Sequence, residues 1–132
     1  MSKHTYIIDV DPVAKGRPRF TRAGRAYTPQ KTKQFSEDVK EYMEMYFTEK
    51  LEGALHVDLT FFIKRPKTVR RKYPTVKPDI DNFEKAIYDA LNEILWHDDC
   101  QIVSHNVAKK YSTTPEGDFV GEGIHIKIEK LT

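Results

Sequence analysis

One cysteine, Cys100, stands among the 132 residues, so no disulfide can form within the chain and the composition suits a reducing compartment. No apolar run approaches the roughly 20 residues that span a bilayer. The opening Met1-Ser2-Lys3-His4-Thr5 also lacks the apolar centre of a signal peptide. A cytoplasmic protein without membrane contact is expected. Repeats, linkers and low-complexity tracts are absent, which points to one domain over residues 1–132, long enough to bury an ordinary core. His4, His56, His105 and His125 show no metal-site spacing, which argues against a zinc centre.

Acid is missing from two long stretches. Pro12 to Ser36 holds Lys15, Arg17, Arg19, Arg22, Arg25, Lys31 and Lys33 without one carboxylate. Leu59 to Pro78 holds Lys64, Arg65, Lys67, Arg70, Arg71, Lys72 and Lys77, again without one. These are 14 of the 22 basic residues, so the net charge of +2 conceals a remainder with 8 basic and 20 acidic side chains. Such segregation favours a polyanion bound on one face over a pair of merely solvated loops.

Tyr6 to Val10 reads as an opening strand. Pro12, Gly16, Pro18 and Gly24 make residues 12–27 a basic, irregular arm or loose hairpin. Thr28-Pro29 suits a helix start, and Phe35, Val39, Tyr42, Met43, Tyr46 and Phe47 form one face of an amphipathic helix, with Tyr42, Met43 and Tyr46 read as core or dimer interface rather than a ligand site. Gly53 marks its exit. Leu55, Val57, Leu59, Phe61 and Ile63 alternate with the residues between them, the period of a strand with one buried face. Pro66, Pro74 and Pro78 keep residues 64–78 extended or looped. Phe83, Ala86, Ile87, Ala90, Leu91, Ile94 and Leu95 then predict a second helix, with Trp96 plugging its end against the sheet. Strands near Gln101–Tyr111 and Val120–Glu129, joined by a turn at Pro115-Glu116-Gly117, complete the order. The fold class is α+β (mixed α/β): a single small domain with a mixed β-sheet packed by two main helices.

The chemistry concentrates around that second helix. Asp79 and Asp81 cannot share a helical face, since i and i+2 diverge by about 200°. In extended chain after Pro78 they would point the same way. Lys85 follows Asp81 by one turn, and Asp98-Asp99 lie past the far end. The helix is roughly 20 Å long, so the second acidic pair meets the first only through the returning strand or from another subunit. Three converging carboxylates would suit Mg²⁺ or Mn²⁺ rather than zinc. Such an ion would activate a water for in-line attack on a phosphodiester. Lys85 could offset charge in the transition state or keep the carboxylates ionised. A bland alternative also stands: Asp81 and Glu84 fit a helix capping box. Asp79 is harder to assign to capping. Cys100 reads better as a small residue entering a buried strand than as a redox thiol. His97 suits either a solvent-facing residue or an assisting base.

The runs Lys77-Pro-Asp-Ile-Asp-Asn-Phe-Glu-Lys-Ala-Ile-Tyr-Asp-Ala-Leu-Asn and Trp96-His-Asp-Asp-Cys-Gln-Ile-Val resemble the RusA family of Holliday junction resolvases. Lys15-Gly-Arg-Pro-Arg-Phe-Thr-Arg, with Tyr27-Thr-Pro downstream, is similar to that family's opening, so the resemblance covers about residues 6 to 128. It implies a homodimer that cuts four-way DNA junctions symmetrically with Mg²⁺ or Mn²⁺ and no small-molecule cofactor. A role in recombination or repair and a prophage origin are implied as well. By resemblance the catalytic and metal-binding acids are Asp79, Asp81 and Asp99, with Asp98 in a supporting place, and the catalytic lysine is Lys85. DNA contact is expected from Lys15, Arg17, Arg19, Arg22, Arg25, Lys64, Arg65, Lys67, Arg70, Arg71, Lys72 and Lys77. Phe20 is either a wedge at the crossover or a hydrophobic anchor for the arm. The rivals are a non-catalytic DNA-binding module and a broader branch- or flap-cutting nuclease.

Overall fold

A computed structural model describes residues 3–16, 19–20, 22–24, 26–27, 30–46 and 49–132, with the backbone alone at 19–20 and 26–27. The elements are β1 (Lys3–Ile8), β2 (Arg19–Phe20), β3 (Ala26–Tyr27), α1 (Gln30–Met43), β4 (Leu55–Ile63), α2 (Ile80–Leu91), β5 (Ile102–Tyr111) and β6 (Ile124–Lys130). A 3-10 turn, Asp99–Gln101, leads into β5. Strands β1, β6, β4 and β5 form one sheet in that order, and β2–β3 is a short separate hairpin in the basic arm.

β4 pairs in parallel with β5 and antiparallel with β6, so the sheet is mixed. A parallel pair cannot be joined by a tight turn. Here the return is made by the basic loop and α2, which lie between β4 and β5 in the chain. Val57, Leu59 and Phe61 of β4 and Ile124, Ile126 and Ile128 of β6 are buried together with Phe35, Val39 and Met43 of α1 and Phe83, Ile87 and Leu91 of α2. Each such side chain contributes roughly 1.5–3 kcal/mol by leaving water. Phe61 stacks on Phe83 with centroids 5.4 Å apart, fixing the N-terminal half of α2 against the sheet.

Several boundaries differ from the sequence expectation. β1 is Lys3–Ile8 rather than residues 6–10, because its pairing runs from Lys3 opposite Glu129 to Ile8 opposite Ile124. β6 begins at Ile124 rather than Val120. Just ahead of it, Gly123 adopts φ +72°, and a Cβ there would lie 2.2 Å from the Ile8 carbonyl oxygen. α1 ends at Met43, and Thr28, Pro29 and Phe47 lie outside the described residues. α2 stops at Leu91 although its apolar stripe continues to Leu95. Glu93 turns left-handed at φ 68°, and the Trp96 indole N–H donates to Asn92 Oδ1 at 2.6 Å. Ile94, Leu95 and the fully buried Trp96 therefore close the core from a turn, not from a helix.

Candidate active site and nucleic-acid interface

Helix α2 carries the first pair of predicted acids at its start, and the 3-10 turn before β5 carries the second. Asp79 occupies its N-cap with extended backbone, φ −68° and ψ 148°, but its carboxylate makes no capping bond. The helix starts earlier than the sequence suggested, so Asp81 is not in extended chain: it sits in the first turn, and the proposed capping box of Asp81 with Glu84 does not form. Glu84 instead turns toward β5, its Oε1 2.5 Å from His105 Nδ1. Asp79 and Asp81 are both exposed and neither forms an ion pair among the described residues. Lys85 is exposed one turn further along the helix.

The other acidic pair stands at the far end. β5 runs back along α2: His105 meets Glu84 and lies 3.5 Å from the Tyr88 hydroxyl, while Lys109 reaches the segment that precedes the helix. Asp99 opens the approach to β5, beside the C-terminal half of α2. Burial there raises its carboxyl above the ordinary aspartate range, helped by the hydrogen-bonded Asp98 and by Asp89. Asp98 moves the opposite way because the Cys100 thiol and Asp99 both hydrogen-bond to it. Cys100 is therefore not a buried strand residue; it is exposed in the 3-10 turn, and its bond to Asp98 raises the thiol's pKa. Gln101 shapes this turn by accepting from the backbone N–H groups of His97 (2.8 Å) and Asp98 (3.1 Å). The side chain of His97 faces solvent and contacts Glu52 at 2.7 Å.

The two pairs lie on either side of α2 in the chain, whose 12 residues span about 18 Å, with Asp99 packed beside Tyr88 and Asp89 of its C-terminal half. Among the described residues, no group of three His, Cys, Asp or Glu side chains comes together as a metal cage. One chain thus presents two separate acidic pairs. Asp79 and Asp81 make no ion pair among the described residues, and carboxylates of this kind suit a hard cation completed by water and phosphate. Asp98 and Asp99 form a second pair.

Lys109 escaped the sequence expectations. Its ammonium donates to the carbonyl oxygens of Val76 (2.6 Å) and Pro78 (2.9 Å), holding the chain immediately before Asp79. A lysine inside a strand carries no signal of this kind, since the contact exists only once β5 has paired with β4.

The profile of the endodeoxyribonuclease RusA family matches residues 9–128. The chain belongs to the RusA endodeoxyribonuclease family. A curated relative, the uncharacterized protein YqaN of Bacillus subtilis (strain 168), is 34% identical over 121 residues, covering 80% of this chain and 85% of that protein.

A RusA-family nuclease acts on DNA, and the basic stretches divide by what their side chains are already doing. Arg65 is held inward: it donates to the carbonyls of Thr113 (3.0 Å), Val69 (3.1 Å) and Arg71 (2.6 Å), with its guanidinium 4.1 Å above the Tyr111 ring. Arg70 donates to the Pro115 carbonyl, Arg71 to the Tyr111 hydroxyl, and Lys64 faces Asp11 at 3.7 Å. Lys15 is engaged by Asp89 on α2. Lys67, Lys72, Lys77 and Arg22 are exposed and make no ion pair among the described residues. Arg17 and Arg25 lie outside the described residues, as do the side chains of Arg19 and Phe20. Among the described residues, no helix is long and apolar enough to cross a membrane.

Proposed function

We propose that this protein is a metal-dependent endodeoxyribonuclease that resolves four-way DNA junctions as a homodimer, in recombination or repair. The carrying observation is the exposed Asp79–Asp81 pair, unused by the fold, at the end of α2 that adjoins the basic loop. Mg²⁺, with Mn²⁺ as substitute, would be held there and would supply an activated water and charge neutralisation at the phosphodiester. The chain's own residues do the rest. Asp79 and Asp81 present carboxylate oxygens, Lys85 offers a cation one turn away, and Lys109 fixes the approach to Asp79. Exposed lysines of the loop bind phosphate without reading sequence.

The separation of the acid pairs gives the homodimer a chemical purpose. With two-fold symmetry, Asp79 and Asp81 of one protomer can face Asp98 and Asp99 of the other, making two equivalent composite sites for the two equivalent strands of a junction. Paired, symmetrical cuts follow from that arrangement.

A mixed-dimer experiment tests this. Subunits carrying Asp81→Asn and subunits carrying Asp99→Asn are each expected to be inactive on a labelled four-way junction with Mg²⁺. Mixed, they regenerate one intact composite site and nick one strand; sites complete within each chain would leave the mixture dead. The separation of the acids within one chain also favours a second possibility, a DNA-binding module without catalysis. Junction binding without cutting by the unmodified protein in Mg²⁺ and Mn²⁺ would establish it.

A further inference from the structure

A cleft of about 630 Å³ opens between the basic loop and the turn that follows β5, lined by Arg65, Lys72, Tyr73, Lys110, Tyr111 and Val120 among others. That size lies within the range of small-ligand sites, about 300–1,000 Å³. Its walls are tied together before any ligand arrives. Arg65 bonds both the loop, at Val69 and Arg71, and the turn, at Thr113, while Arg70 reaches Pro115. Gly121 seats the turn on the sheet, since a Cβ there would lie 2.5 Å from the Phe62 ring.

Flat surfaces and free cations meet in this cleft. Tyr73 is 59% exposed, and the Lys72 ammonium lies 5.3 Å from its ring centroid. Phe119 (72% exposed) and Val120 extend the apolar surface along the turn. Lys72 and Lys110 are exposed and have no acidic partner among the described residues, against one lining carboxylate, Glu116. An exposed aromatic ring beside cations that have no acidic partner among the described residues suits a nucleotide: the base stacks and the adjoining phosphates are neutralised. Strand β5 links the cleft to the segment that precedes the acids. Tyr111 is about 7 Å along β5 from Lys109, whose ammonium grips the carbonyl before Asp79.

We propose that this cleft receives an unpaired nucleobase of the branched DNA, stacked on Tyr73, with its flanking phosphates held by Lys72 and Lys110. This rests on the branched-DNA function above and adds a base-holding subsite to it.

The test measures affinity with Ca²⁺ in place of Mg²⁺ for four probes: a four-way junction, the same junction abasic at the branch point, a linear duplex and a dT oligomer. Tyr73→Ala is expected to weaken the junction and the oligomer by about 5- to 100-fold, with the duplex and abasic junction unchanged and Tyr73→Phe retaining affinity. The log–log salt slope should survive Tyr73→Ala but fall by about one with Lys72→Met. Equal losses on all four probes, or no loss in a variant with native circular dichroism, would overturn the proposal. Tyr73-dependent oligomer binding by a protein that cuts no junction would sink the resolvase function and leave the subsite. Junction cutting indifferent to Tyr73 and to the abasic change would sink the subsite alone.

Discussion

Replacing Lys109 by methionine keeps the length of the side chain and removes its charge, which isolates what the ammonium does for Asp79. Two bonds are lost, to the carbonyls of Val76 and Pro78. Hydrogen bonds from a charged donor contribute about 1.5–3 kcal/mol each when well shielded. These are solvent-accessible, so about 1–2 kcal/mol for the pair is the better figure. That energy holds one short segment, so it should appear mainly as a looser Asp79 rather than as global unfolding. Cleavage of a four-way junction under single-turnover conditions with Mg²⁺ is then expected to slow by about 5- to 30-fold. Junction affinity measured with Ca²⁺ should stay within about twofold, and the salt slope should not change. An unchanged cleavage rate would show that Lys109 does not position Asp79. A loss of affinity with a shallower salt slope would make it a phosphate contact instead.

Asp79→Asn should leave junction binding intact in a gel-shift assay and lower Mg²⁺-dependent cutting by at least about 100-fold; retained cutting would remove Asp79 from the metal site. Arg65→Ala should lower thermal stability by about 2 kcal/mol, since three carbonyls lose their donor. Lys67→Ala, by contrast, should leave the melting temperature unchanged and lower the DNA-binding salt slope by about one. The Asn106 amide, and after it His56, holds the Asp58 carboxyl below the ordinary aspartate value of about 3.9. The stability this confers is full above that value and disappears as pH falls through the lower folded-state pKa. Urea titrations should therefore show Asn106→Ala less stable than the parent at pH 7, with the gap closing in acid; a gap that persists would assign the effect to packing.

The local pattern of the chain carried far. The alternation of Leu55, Val57, Leu59 and Phe61 marked β4 and its buried face, because period-two burial is written in neighbouring residues, although at its end Phe62 is buried and Ile63 only half-buried. The stripe from Phe83 to Leu91 marked α2 in the same way, and the prolines marked the basic loop. The motifs around Asp79 and Asp99 carried the family. What the sequence could not determine is where those two motifs stand relative to each other. That depends on β5 pairing in parallel with β4 and running back along α2, a set of contacts between residues some 50 apart. The same pairing delivered Lys109 to the entrance of the helix and His105 to Glu84, contacts with no signature in the linear chain. It also turned Arg65 inward to hold the loop, although Arg65 and Lys67 look alike as basic residues in sequence. Periodicity determined which faces are buried. Sheet order and register decided which charges remain free to meet DNA.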